Sequence, residues 1–321
     1  KKRDNILGWD TFIGKDNLDK YSARVDRSTF KNSKPCVDLY GDSFTYGHDN
    51  EDFSWPSQLS ELIECRVRNF GVGGYGSDQA QMKFLSKTNH SDIVFLNHFS
   101  ENIIRNINQF RNFIYPNKSF VFKPRYIIKN DELELVPLPQ IQKKNINDFF
   151  LQPEKYLSEE YFLPGYESGI QKLKFPFTLN VLKSFNHWHI RKKISQNPSR
   201  LVDFYSPNHK SKALQITFKI MHSFYLEAEY LGLKPVLTVF PTCRDLEYFQ
   251  KYKKYPYENL INLLEQKNLR YINFGPIIMK KSKNNFKILY DRCGGHFNIE
   301  GETLVSKVIQ EYIFETNLLE K

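Results

Sequence analysis

The run VDLYGDSFTYGHD, residues 37–49, ends an apolar stretch abruptly in Gly41, Asp42 and Ser43. Turns favour all three residue types, but the tip of a buried strand is also where a nucleophilic hydroxyl can be held. A serine is a weak nucleophile until a base takes its proton. Histidine has the intrinsic pKa for that task near neutrality, and His296 stands in YDRCGGHFNIEG, residues 290–301. An Asp that accepts from the imidazole orients it and stabilises its cation; Asp291 is the candidate. Acyl transfer builds an oxyanion that needs fixed donors. Residues 69–79, NFGVGGYGSDQ, bring glycines whose backbone N–H groups can approach such an oxygen closely, and residues 99–106, FSENIIRN, bring an Asn amide.

These four segments must meet, and the surrounding pattern says how. Short apolar runs at 36–40, 66–72, 92–99, 234–241 and 270–274 suit parallel strands covered on both faces. Helical patterns alternate with them at 54–64, 77–87 (with Ser77 expected as N-cap), 211–231 (stopped by Gly232), 257–267 and 298–314. Strand–helix alternation implies an α/β fold: a three-layer α/β/α sandwich around a parallel sheet. Ligands of such sheets bind beyond the carboxyl ends of the strands, which is where all four segments fall. Residues 1–34 read as an extended N-terminal arm, and residues 35–321 as the main domain. A cap-like insertion at about 107–210 separates the third and fourth strands. It begins with an expected hairpin at 119–139, turning at KND.

The segments GDSFTYG, NFGVGG, the Asn of SEN and GHFNIEG together resemble the four blocks of the SGNH (GDSL-type) hydrolase superfamily, in that chain order. The resemblance covers about 35–105 and 230–315 and leaves out the insertion. It implies a flavodoxin-like sheet, Ser43 as nucleophile and His296 as general base. The backbone N–H groups of Ser43 and Gly74 and the side chain of Asn102 would be the oxyanion donors. It implies cleavage or transfer of acyl esters with no metal or cofactor. The substrate expected is an acylated small molecule or glycan, O-acetylated carbohydrate in the first place. Two positions depart from the family pattern. The third block reads Ser100-Glu101-Asn102-Ile103 instead of Gly-x-Asn-Asp, with Asn97 and Asn106 as alternatives to Asn102. Cys293 occupies the place of the usual Asp three residues before His296, and Asp291 lies five before. The site is therefore either a Ser–His–Asp triad closed by a folded-back glycine loop or a Ser–His dyad.

Other readings weigh less. Gly71-x-Gly73-Gly74-x-Gly76 follows the second strand and fits a dinucleotide fingerprint poorly. His187 and His189 resemble a metal-ligand pair but lack a clear third ligand. Arg125 can hold an anionic substrate group or pin the hairpin. Trp188 and the other insertion aromatics can stack on sugars or form a small core. The four cysteines show no zinc spacing, and no disulfide framework is expected in so long a chain, so the redox compartment stays open. The formal charge of +10 admits an anionic partner, but its basic residues are scattered, which argues against nucleic acid. No apolar run approaches a membrane span. Because the chain begins KKRDN, an upstream signal or anchor stays open, and a bacterial envelope or periplasmic location is expected over the cytoplasm. Oligomeric state is not legible. The rivals to a hydrolase are an O-acyltransferase on the same site and a silent glycan-binding module.

Overall fold

In the computed structural model the N-terminus forms a small antiparallel hairpin, β1 (Lys2–Asp4) and β2 (Gly8–Asp10). The residues described are 2–11, 18–19, 22–24, 27–115, 120–166, 169, 171, 175–185, 190, 199 and 201–319. This start packs against the main domain. Trp9 is buried; its indole N–H donates to Gly73 O at 3.2 Å, and its carbonyl accepts from the Tyr75 hydroxyl at 2.6 Å. The hairpin thus anchors the glycine-rich loop.

The main sheet contains β3 (Pro35–Tyr40), β4 (Arg66–Asn69), β5 (Ile93–Phe99), β8 (Lys234–Phe240) and β9 (Tyr271–Asn273). A separate hairpin, β6 (Arg125–Lys129) and β7 (Glu132–Val136), lies in the insertion. Its turn, Asn130-Asp131, takes positive φ at both residues, as short hairpin turns demand. The sheet order is β4-β3-β5-β8-β9, with every pairing parallel. In sheet-strand terms this is the flavodoxin-like order.

Successive strand residues face opposite sides, and the two cores follow that alternation. Val37, Leu39, Ile93 and Phe95 pack with Trp55, Leu59, Val305 and Ile309 on one face. Tyr40, Val94, Leu96 and Leu237 pack with Phe84, Ile220, Phe224 and Leu260 on the other. The helices are α1 (Ser43–Tyr46), α2 (Trp55–Leu62), α3 (Ser77–Leu85), α4 (Asn102–Arg105), α5 (Ile146–Leu151), α6 (Phe177–Ser184), α7 (Ala213–Tyr230), α8 (Cys243–Tyr252), α9 (Glu258–Gln266), α10 (Phe274–Lys281) and α11 (Ile299–Glu315). Helices α2, α8, α10 and α11 cover the first face, and α3, α7 and α9 cover the second. The result is a three-layer α/β/α sandwich. Among the described residues no helix is long and apolar enough to cross a membrane.

Two expectations need correction, and one open alternative is resolved. Gly76, not Ser77, caps α3; the Ser77 hydroxyl is 2.8 Å from His98 Nδ1 and so is engaged elsewhere. The cysteines do form disulfides, against expectation. They pair as Cys36–Cys65 and Cys243–Cys293, with Cα separations of 6.1 and 5.2 Å. Of the two readings of Arg125, the structure shows the hairpin pin. Its side chain donates to the carbonyls of Ile107 and Glu159 and pins the hairpin to the start of the insertion. Phe110, Phe149, Leu157 and Leu163 form a small core within the insertion. His187, Trp188 and His189 lie outside the described residues.

Candidate active site

The strand β3 ends at Tyr40 and the chain turns sharply at Gly41, where a Cβ would run into Thr45 Oγ1. Asp42 then caps α1, accepting from Phe44 N at 2.9 Å, and Ser43 takes the first helical position. Behind this turn, the Trp55 indole N–H donates to Phe44 O at 2.8 Å. Trp55 N in turn donates to Glu302 Oε2 at 2.7 Å. Burial pushes the Glu302 carboxyl up to about 8, opposed by backbone N–H groups of Trp55 and His48.

Ser43, Gly74 and His296 line one cleft of about 200 Å³, together with Phe44, Phe99, Glu101, Arg105, Arg111, Thr242, Gly294 and Gly295. The His296 ring lies 5.0 Å, centroid to centroid, from that of Phe44, the residue after the serine. No hydrogen bond joins Ser43 Oγ to His296 among the described residues, and neither side chain bonds to another group. Catalytic hydrogen bonds are often long before substrate binds.

His296 sits on a hairpin. Tyr290 and Phe297 form an antiparallel bridge, Asp291 N donates to His296 O at 3.0 Å, and Gly294 takes φ +108°. The glycines therefore do fold Asp291 back beside His296, but through the backbone. The Asp291 carboxylate is exposed and makes no hydrogen bond to the imidazole among the described residues. Cys293, at the position three before the histidine, is tied to Cys243 at the start of α8. A covalent strut thus stands where an acid was sought. The two sulfurs and a Glu247 oxygen lie within 4.8 Å of one another, but bonded sulfurs offer no thiolate to a metal.

The donors are arranged as follows. Gly74 has φ +84°, a conformation that favours glycine. Neither the Ser43 nor the Gly74 backbone N–H donates to a described residue. Asn102 is fully buried and does not line the cleft itself; it packs behind Arg105, which does. Its Oδ1 accepts from Arg105 at 3.1 Å. Because a guanidinium only donates, this contact fixes the amide orientation. It leaves Asn102 Nδ2 buried without a partner. Of the alternatives, Asn106 Nδ2 donates to Thr217 at 2.9 Å, whereas Asn97, inside β5, accepts from Thr238 through Oδ1 and has an Nδ2 that is buried without a partner, like that of Asn102.

Arg105 is the hub beneath the cleft. It donates to Asp42 Oδ2 at 2.7 Å, Glu101 Oε1 at 2.8 Å, Tyr75 O at 3.0 Å and Asn102. Asp42 is 1 % exposed; burial raises its carboxyl, opposed chiefly by Arg105. His98 is buried deeper, between Ser77 and the Tyr205 hydroxyl at 2.8 Å each; burial and Arg105 push it down to about 3, so it is neutral scaffold. Sequence reasoning missed Arg105, Arg111 and the disulfide. Arg105 had a signal, since Glu101 and Arg105 stand at i,i+4.

No family model matches the chain, and no curated protein matches it. Solved structures do. The chain is similar to a member of the lipolytic protein G-D-S-L family from Veillonella parvula, at 10% identity and TM-score 0.44, over 87% of this chain and 97% of that one. It is also similar to an acetyl xylan esterase, at 10% identity and TM-score 0.45, over 87% and 100%. A third is a catalytic mutant of an acetylxylan esterase from Geobacillus stearothermophilus, at 10% identity and TM-score 0.43, over 88% and 94%.

Proposed function

We propose that this chain is a serine esterase of SGNH type that hydrolyses short acyl esters, O-acetyl groups on carbohydrate above all. The observation that carries the reading is the convergence of Ser43 and His296 on a cleft whose neighbouring donors, Ser43 N, Gly74 N and Asn102 Nδ2, have no acceptor among the described residues. A buried donor without a partner is costly, and a developing oxyanion is the acceptor such a set suits.

In this reading Ser43 Oγ attacks the ester carbonyl while His296 takes its proton. The tetrahedral oxyanion collects hydrogen bonds from Ser43 N and Gly74 N, and Asn102 Nδ2, behind Arg105, joins them once substrate binding opens that wall of the cleft. His296 then protonates the leaving alcohol, and the acyl group stays on Ser43. Water, deprotonated by His296, releases the acid. The side chain of Phe44 and the Cys243–Cys293 strut hold the imidazole; the pair works as a dyad, with Asp291 a backbone partner of His296. A cleft of about 200 Å³ has room for a short acyl group beside Ser43. Two disulfides fit an oxidising compartment such as the bacterial envelope.

The test is hydrolysis of 4-nitrophenyl acetate at pH 7–8. Ser43→Ala and His296→Ala should each lower kcat/KM by about a thousandfold. Asp291→Asn should lower it less than tenfold, whereas a triad acid would cost about four orders of magnitude. Ser43→Ala at wild-type rate would overturn the assignment.

A further inference from the structure

The cleft contains two guanidinium groups, and only one of them is used up by the protein. Arg105 is bonded to Asp42 and Glu101. Arg111, from the first turn of the insertion, makes no ion pair with any carboxylate among the described residues. Among the described residues its side chain makes one hydrogen bond, from one terminal nitrogen to Gly74 O at 2.5 Å. Its guanidinium carbon also stands 5.0 Å from the Tyr115 ring centroid. The other side-chain nitrogens have no acceptor among the described residues, and none of them is sealed from solvent in the way Arg105 Nε is. They border the cleft that holds Ser43 and His296.

Building on the esterase reading, we propose that Arg111 binds a carboxylate on the substrate itself, so that the preferred ester is carried by an acidic sugar of the uronic-acid kind. Three features favour a singly charged, planar group. The guanidinium fork matches a carboxylate in a two-point contact. Arg105, Arg111, Asp42 and Glu101 already sum to zero charge, so a carboxylate would leave one excess negative charge beside Glu101 where a doubly charged phosphate would leave two. Finally, Arg111 is held unfavourably without an anion: burial, then the nearby Arg105, lowers its pKa to about 10. A ligand carboxylate relieves both effects.

The placement also links recognition to chemistry. Arg111 grips the carbonyl of the residue whose N–H is an oxyanion donor. A Cβ on Gly74 would lie 2.9 Å from Arg111 Cζ, so the two groups are in contact. An anion seated on Arg111 therefore lies next to the ester under attack. Arg111 also opens the insertion, which gives that segment a specificity role that the sheet alone lacks.

The experiment compares two acetyl esters that differ only in charge: methyl O-acetyl-glucuronoside and methyl O-acetyl-glucoside. Wild type, Arg111→Lys and Arg111→Gln are assayed on both, and the ratio of kcat/KM values is read. The ratio cancels any general effect of the lost Gly74 contact. Wild type should favour the uronoside at least tenfold. Arg111→Gln should erase that preference, and Arg111→Lys should keep part of it. In parallel, calorimetry measures binding of the unacetylated methyl glucuronoside and methyl glucoside to the wild-type protein and to Arg111→Gln. Hydrolysis without a charge preference, or with one that Arg111→Gln leaves intact, overturns the carboxylate site and leaves the esterase standing. Uronoside binding that depends on Arg111, with neither ester cleaved, supports the carboxylate site and overturns the esterase. Neither cleavage nor charge-dependent binding overturns both.

Discussion

Arg105→Met would expose how much of the site rests on one buried ion pair. The substitution keeps the bulk of the stem but deletes the cation facing Asp42, which is 1 % exposed. Asp42 would keep one bond, from Phe44 N, while Glu101, Tyr75 O and Asn102 Oδ1 would each lose a donor. Breaking a buried pair from one side costs about 3–5 kcal/mol, because the remaining charge stays desolvated. That is a large part of the roughly 5–15 kcal/mol a domain has. Asp42→Asn keeps an acceptor for Phe44 N and loses only the charged bond, at about 1.5–3 kcal/mol. The double variant leaves no buried charge, so its cost should fall short of the sum by about 2 kcal/mol. Urea unfolding at pH 7 of the four proteins measures this. A second signature follows from sign. Without Arg105 the folded Asp42 carboxyl rises further above its unfolded value, so the penalty grows as pH rises and shrinks as pH falls toward the unfolded range. The gap between wild type and Arg105→Met should therefore narrow from pH 7 to pH 5. Additive single effects with a gap constant in pH would refute the reasoning.

Glu302 sits at about 8 when folded, against 4.5 as the ordinary value. The folded state holds the proton over that window, so stability should fall as pH rises from 4.5 to 8, by up to about 1.4 kcal/mol per unit. Glu302→Gln should flatten the Tm profile between pH 5 and 8; parallel profiles would refute this. Cys293→Ser opens a strut across 50 residues, a loop-closure loss of about 4 kcal/mol, and should lower both Tm and kcat. Unchanged kcat on the folded variant would show that the strut does not position His296. Gly74→Ala forces a side chain against Arg111 and into φ +84°, and should cut kcat at least tenfold in steady-state assays while far-UV dichroism stays unchanged.

The strands of the main sheet were legible because each is a short apolar run bounded by turn residues, and burial on both faces leaves no other reading. Ser43, Gly74 and His296, which share one cleft, stand out in the sequence by type and position at strand ends, as does the candidate Asn102 behind it. Arg105 and Arg111 were not, since a charge reveals its role only through its partner, and Asp42 and Gly74 lie 63 and 37 residues away. The disulfides escaped for the same reason: their partners are 29 and 50 residues apart, and no local spacing marks them. Ser77 misled because its hydroxyl serves His98 across the fold instead of its own helix. Residues 1–34 read as an arm because nothing local announces that Trp9 docks on the glycine loop.

The central claim is that Ser43 is a nucleophile activated by His296. Incubation with a fluorophosphonate, followed by peptide mass spectrometry, tests it without assuming a substrate. The account predicts one adduct, on Ser43, formed far more slowly in His296→Ala and absent from Ser43→Ala. An unlabelled Ser43 in folded protein, or a label whose rate ignores His296, would contradict it.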